Sequence, residues 1–376
     1  MALYSTANYD SVGGLATSSI ANNPNLTWEK TLQTDIGIDL AFLKGRMELT
    51  YDYFIEDSKD LLVSKAIPIT TGYSSITDNA GKVKTTGHEV SFFSRNVDKQ
   101  NFKWNTSFNI SFIDNKVTAL VKSAQGEWEE FNTGNRSRVV VGYPVSTFYV
   151  IKATGIYQSD SEVPASLYSN GIRAGDVKYE DINNDGTINI GDRQPYKSGS
   201  PTVYGGLTNT FSFQGFDAEL GLQFSLGNWI YTYWKETDGA ANGGRSNYQI
   251  MADHWEKRWT PQNTHNDPAY PRFIYGASSA GAHNTQASTS RWLQDASFLR
   301  IKSLTLGYTL PSKIIRSINI EKIRIYANVQ NLFTFTKYDG YDPEVEYNPT
   351  ATAERSVDFM TVPQLRSITF GINLSF

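Results

Sequence analysis

The sequence predicts an all-β chain: a section of an antiparallel transmembrane β-barrel, about nine strands, with long extracellular loops. Three observations predict it. Apolar and polar residues alternate with period two over stretches of about ten residues, which is the signature of strands and not helices. The apolar members are large aliphatics and aromatics, while the polar alternates are often Gly, Ser, Thr or Asn. The connections between these stretches alternate short and long.

The totals agree. The chain has 376 residues, a net charge of −4, 19% charged residues and 13% aromatics, with 22 Tyr, 20 Phe and 8 Trp. No run of about 18 apolar residues exists, so no transmembrane helix is available. A barrel strand needs none, because its alternation averages out as hydrophilic. Lys and Arg are dispersed without a basic stripe, which gives no argument for nucleic acid, and none is expected as a partner. There is no cysteine, which removes disulfides and thiolate metal sites. The opening "MALYSTANYDSVGG" lacks the basic and apolar regions of a signal peptide.

The strands are expected at 31–42, 46–57, 83–95, 101–114, 201–214, 216–227, 298–310, 320–333 and 365–376. The second places Met47, Leu49, Tyr51, Tyr53 and Ile55 on one face, with Glu48, Thr50 and Asp52 opposite. The fourth sets Phe102, Trp104, Thr106, Phe108, Ile110 and Phe112 against Lys103, Asn105, Ser107, Asn109 and Ser111. The fifth and sixth meet at Gln214-Gly215, and Ala218, Leu220, Leu222, Phe224 and Leu226 share a face. Ile323, Ile325, Ala327 and Val329 mark the eighth strand; Ile368, Phe370, Ile372, Leu374 and Phe376 mark the ninth. A wet lumen tolerates the polar face, whereas a lipid-facing Lys or Arg at mid-bilayer costs roughly 2–4 kcal/mol.

The connections 43–45, 96–100, 215 and 311–319 are short; 58–82, 115–200, 228–297 and 334–364 are long. Outer-membrane barrels keep short turns inside and long loops outside. Residues 143–157 could pass for another strand, but one more crossing would put the later turns on the wrong side. The stretch is therefore placed in the 115–200 loop, as a hairpin. Residues 1–30 are expected as an extracellular loop and 31–376 as barrel with the large external loops 115–200 and 228–297. Nine is an odd count, and an open sheet in lipid leaves costly unpaired edges. A partner segment is expected elsewhere.

Several stretches together resemble one family. "NNPNLTWEKTLQTDIGIDLAFLKGRMELTYDYFIEDSKDLL" (22–62) comes first. "GDVKYEDINNDGTINIGDR" (175–193) and "GSPTVYGGLTNTFSFQGFDAELGLQFSLGNWIY" (199–231) follow. "ASFLRIKSLTLGYTLP" (296–311), "IRIYANVQNLFTFTKYDGYDPE" (323–344) and the terminal strand ending in Phe376 complete the set. The whole resembles SusC/RagA-type TonB-linked (TonB-dependent) outer-membrane transporters over residues 22–376. The resemblance implies the C-terminal part of a barrel of about 22 strands. It implies a bacterial outer membrane of the Bacteroidota type and an oligosaccharide or peptide cargo. It also implies a SusD-like surface lipoprotein as lid, outer-membrane lipid around the barrel, and coupling to TonB. The plug, the TonB box and the earlier strands are expected in a missing N-terminal segment.

Residues 181–192 carry the sharpest local chemistry. Asp181, Asn183, Asp185, Gly186, Thr187, Ile188 and Asp192 occupy positions 1, 3, 5, 6, 7, 8 and 12 of an EF-hand-type loop. Asp181, Asn183, Asp185, Asp192 and the Thr187 carbonyl would ligate a structural Ca2+, clipping the 115–200 loop without flanking helices. The other reading is a turn that binds nothing. Trp229, Tyr231, Tyr233, Trp234, Trp255 and Trp259 are candidate substrate-binding residues, since aromatic faces stack on sugar rings. Their alternative roles are an interfacial girdle for Trp229 and Tyr231, and a short amphipathic helix for Trp255 and Trp259. His88, His254, His265 and His283 lack ligand spacing and read as solvated loop residues. The Glu129–Glu130 pair reads as solvated, and no catalytic motif appears, so the chain is expected not to be an enzyme. The runner-up is a secreted, calcium-stabilised β-sheet binding module or adhesin, with its apolar rows buried inside.

Overall fold

A computed structural model describes residues 4–9, 12–17, 20–122, 128, 131–132, 136–236, 252–274, 279–315, 320–347 and 355–376. Glu129 and Glu130 lie outside the described residues. Nine long strands form one antiparallel sheet in which each pairs with its sequence neighbours. They are β1 (Lys30–Phe42), β2 (Met47–Ala66), β3 (Ser75–Asp98), β4 (Phe102–Ala119), β5 (Val203–Phe213), β6 (Phe216–Leu226), β7 (Phe298–Thr309), β8 (Lys322–Thr336) and β9 (Ser367–Ser375). Short Ile20–Ala21 joins β3 in parallel. All nine expected strands are present. β2 and β3 run further than expected and pair up to Ala66–Ser75, so the expected 58–82 loop shrinks to 67–74.

The tight turns follow from their residues. Gln214 and Gly215 both take positive φ (47° and 91°), the conformation of a two-residue hairpin that matches strand twist. The β1–β2 turn places Leu43, Lys44 and Gly45 at φ 53°, 60° and 76°.

The registers bring the apolar rows onto one face of the sheet. Ile36, Tyr53, His88, Phe112 and Val203 stand opposite one another across β1–β5. Leu207, Leu222 and Ile301 do the same across β5–β7. Leu306, Ala327 and Phe370 continue the face across β7–β9. This face stays bare: Ile372 is 63% exposed, Phe370 79% and Leu306 56%. Among the described residues, the buried apolar side chains begin at Val117 and lie in the long loops and adjoining strand ends. Among the described residues nothing packs behind the wall, which is not the buried apolar interior of the soluble module.

On β4 the apolar row runs from Phe102 to Phe112, and Asp114 and Lys116 follow in the same row. Ten residues rising about 3.3 Å each and tilted about 40° span roughly 25 Å, the height of an outer-membrane belt. Aromatics cluster at the tight-turn end: Phe102 with Phe213, Trp104 with Phe211, Phe216 with Tyr308. Asn209 interrupts the row, and its Oδ1 is satisfied there, accepting from Trp104 Nε1 (2.8 Å) and Thr106 Oγ1 (2.7 Å).

The opposite face is polar. Arg324 on β8 reaches across β7 to Asp217 on β6, donating from Nε at 2.9 Å and Nη2 at 2.5 Å. It passes over Gly307, where an added Cβ would sit 2.6 Å from both partners. Gly307→Val is expected to break this bidentate pair and to destabilise the barrel by about 1–3 kcal/mol, as overpacking does. A lower temperature for loss of the compact band in unboiled gel electrophoresis would register it.

Candidate functional site

The three longest connections fold into one body at the end away from the tight turns. Within residues 120–202, Thr147–Ile151 pairs with Arg193–Ser198, and Ala153–Ile156 pairs with Val177–Tyr179. Residues 143–157 thus lie in a long loop as placed, but they are not a hairpin: the two strands pair elsewhere. Trp229–Thr232 pairs with Leu293–Asp295 and, in parallel, with Val357–Asp358, tying the second loop to the third. Phe148, Val150, Tyr231, Trp292, Leu293 and Val357 form the core where all three meet.

Buried charge stitches the loops together. Asp176 is fully buried and accepts from Arg272 Nε (2.7 Å) and Nη2 (2.8 Å), Asn284 Nδ2 (2.7 Å) and the Arg173 N–H (2.8 Å). Asn284 Oδ1 in turn accepts from the Val177 N–H at 2.9 Å. Arg300 at the end of β7 donates to Asp342 at 2.6 Å and faces Glu344 at 2.8 Å, fixing the third loop to the wall.

The six aromatic candidates do not share one surface. Tyr231 is fully buried, bonded to Glu236 and accepting from the Ser288 N–H at 3.0 Å. Burial, then the Glu236 carboxylate, holds its phenol well above its ordinary pKa. Trp229 and Tyr233 pack against the same core, and Trp234 donates to Asp358 at 3.2 Å. Tyr231 is therefore a core residue of the loop body and half-buried Trp229 packs against that core, where a lipid girdle was the alternative. The short helix Ala252–Lys257 exists, but it ends before Trp259. Trp255 is 47% exposed, with the Arg258 guanidinium 3.6 Å over its ring. Trp259 is buried and packs over Gly175, whose φ is +90°. Trp255, Arg258, Trp259, Pro261, Arg272 and Phe273 line an open groove of about 500 Å³.

The 181–192 stretch folds as a tight loop. Asp181 Oδ2 accepts from the Gly186 N–H at 2.9 Å, while its Oδ1 is buried with no hydrogen-bond partner among the described residues. Asn183 Oδ1 and Asp185 Oδ1 accept from N–H groups two residues on, at 3.0 and 2.8 Å. The Thr187 hydroxyl, then its N–H, keeps the Asp185 carboxyl below its ordinary pKa, so it is ionised at neutral pH. Asp192 is fully buried and both oxygens are engaged, with the Ile182 and Asn189 N–H groups. Among the described residues no three carboxylate or histidine side chains converge on one point. The donor set suits a hard cation, and the orphaned Asp181 oxygen is the atom free to meet one.

Residues 2–332 match the family described as TonB dependent receptor-like, beta-barrel. The chain belongs to this family. TonB-dependent receptor P3 of Formosa agariphila is 31% identical over all of this chain and 37% of its own length. TonB-dependent receptor SusC of Bacteroides thetaiotaomicron is 28% identical over 95% of this chain and 33% of its own length. The chain spans about a third of the length of the curated relatives it matches. The RagAB peptide transporter structure aligns over the whole chain and 38% of its own, at 24% identity and a TM-score of 0.79, which shows the same fold.

TonB-dependent receptors are outer-membrane barrels, so the bare apolar wall of this one faces lipid and the loop body lies outside. Of the histidines of this receptor section, His254 is buried, His283 is half-buried and His88 is exposed but lies in a strand. His88 lies in β3 with Nδ1 2.8 Å from the Tyr51 hydroxyl. His254 is buried in the helix, and burial lowers its pKa to about 4. His283 Nε2 meets the Val177 carbonyl at 2.7 Å. His265 is the loop side chain of the set. No local signal announces Asp176, Arg272 or Asn284, since the ion pair joins residues 96 apart.

Proposed function

We propose that the chain is the C-terminal barrel section of a SusC-like importer that moves oligosaccharides or peptides across the outer membrane. A SusD-like lipoprotein closes over its loop body, and a segment outside this sequence supplies the plug and the contact with TonB. The observation that supports this most is the joining of all three long loops into one buried core above a lipid-facing wall. Such a body offers a built surface for cargo and lid. The work is binding and translocation, with no bond made or broken.

The groove at Trp255 is the cargo contact, because that ring is the exposed one of the six. In the full-length transporter, Trp255→Ala is expected to weaken cargo binding by about tenfold, roughly 1–2 kcal/mol of lost stacking. Titration calorimetry with mixed oligosaccharides and with short peptides decides which cargo class binds. Unchanged affinity for both in the variant would remove the groove from the account.

A second reading concerns Ca2+. Asp181, Asn183, Asp185 and the Thr187 carbonyl hold it as a structural clip, supported by the orphaned Asp181 oxygen. Asp192 shapes the loop from its closing end. Added Ca2+ is expected to slow proteolysis within residues 120–202, and Asp185→Ala to abolish the effect. Equal cleavage with and without the metal would exclude the clip.

A further inference from the structure

Beyond the apolar belt, β1–β4 continue outward as a wall with two different sides. The lumenal side is covered: Val117 is buried, its N–H donates to the Tyr143 carbonyl at 2.9 Å, and Asn115 Oδ1 accepts from the Val145 N–H at 3.2 Å. The outward side is bare and carries cations. In the row continuous with the lipid-facing residues, Lys84 stands directly opposite Lys116, as His88 does opposite Phe112. Lys30 stands directly opposite Lys59 in the same way.

Like charges placed opposite each other across strands repel, since their Cβ atoms are only about 4.5–5.5 Å apart. Internal carboxylates answer part of this. Lys30 pairs with Asp60 at 3.0 Å and Lys116 with Asp114 at 2.9 Å. Asp57 stands opposite Lys84 in register without closing an ion pair among the described residues. Lys59 and Lys84 have no carboxylate partner there. Lys30, Lys59, Lys84 and Lys116 against Asp57, Asp60 and Asp114 leave one net positive charge on this exposed face, which an outside anion would settle.

The height of these lysines selects the anion. Along β4, Lys116 stands four residues beyond Phe112, the last apolar member of its row, about 10 Å above it at the usual rise and tilt, and Lys84 stands opposite Lys116. Flexible lysine stems reach down from there to headgroup level. We propose that this outward lysine face binds the phosphate groups of a lipid headgroup in the outer leaflet. Each ammonium acts as a point charge on a phosphate oxygen. The row is contiguous with the hydrocarbon-facing wall, which favours a lipid phosphate over a free one. This inference rests on the membrane placement of the wall and is independent of the cargo.

The test uses the full-length transporter in mild detergent, titrated with diphosphoryl lipid A and followed by native mass spectrometry. The Lys84→Gln/Lys116→Gln variant is expected to bind about thirtyfold more weakly, at the usual contribution of a lysine near an anionic surface. Lys84→Arg/Lys116→Arg keeps the charge and is expected to bind like the wild type, which guards against misfolding. Dephosphorylated lipid A is expected not to bind, and millimolar inorganic phosphate not to compete. Equal binding by wild type and the Gln variant overturns the proposal. So does equal binding of the dephosphorylated lipid, or displacement by inorganic phosphate.

Discussion

Asp176→Ala is expected to unfold the extracellular loop body while leaving the barrel wall intact. The carboxylate is fully buried and takes four hydrogen bonds, from Arg272, Asn284 and the Arg173 backbone. Its loss leaves the half-buried Arg272 guanidinium with the Gly171 carbonyl at 3.5 Å as its acceptor among the described residues. Arg272 is 29% exposed and can turn to water, so the cost comes from the Asn284 Nδ2 and Arg173 N–H donors left without an acceptor, about 1–3 kcal/mol each. Rapid proteolysis within residues 120–202 and 227–297 is the readout, and the heat-resistant compact band on unboiled gels should persist. A loop body that resists protease as the wild type does would contradict this role for Asp176.

Phe370→Arg and Thr369→Arg are expected to differ sharply although the residues are adjacent. Phe370 belongs to the outward row, opposite Ala327, and is 79% exposed on the lipid side. Thr369 stands opposite Asn328 on the lumenal side. An arginine near mid-bilayer costs about 2–4 kcal/mol, whereas a lumenal one meets water and costs little. Denaturant titration of the reconstituted full-length protein measures the difference. Equal midpoints for the two variants would mean that the two faces do not differ in solvent.

The strands were legible because period two is a local signal and because tight turns declare themselves, as Gln214-Gly215 does. Their lengths were less so. β2 and β3 extend past the membrane, where consecutive Leu61, Leu62 and Val63 stand opposite Gly81, Asn79 and Asp78, and there the alternation fades. Register shifts were invisible too. The shift between Ile301 and Ser303 lets odd-numbered Leu299 and Ile301 share a face with even-numbered Leu304 and Leu306.

The loop body was legible only in part. The 181–192 loop shows in sequence because its hydrogen bonds span two to ten residues. The Asp176–Arg272 and Arg300–Asp342 pairs join residues 96 and 42 apart, and no spacing rule reaches that far. Tyr231 looked like a surface aromatic because a strand in a loop core alternates just as a rim strand does. The fold of the connections around it decides its burial.

The most direct measurement is a single-cysteine scan of residues 102–113 on β4, in a chain section that has no cysteine of its own. A spin label at each position of the reconstituted full-length protein reports collision with lipid-dissolved oxygen against a water-soluble nickel complex. Even-numbered positions from 102 to 112 should meet oxygen and odd-numbered ones from 103 to 109 nickel, whereas buried Ser111 should meet neither. Nickel access at Phe108 and Ile110, or shielding of both faces from both probes, would show that this wall does not stand in a membrane.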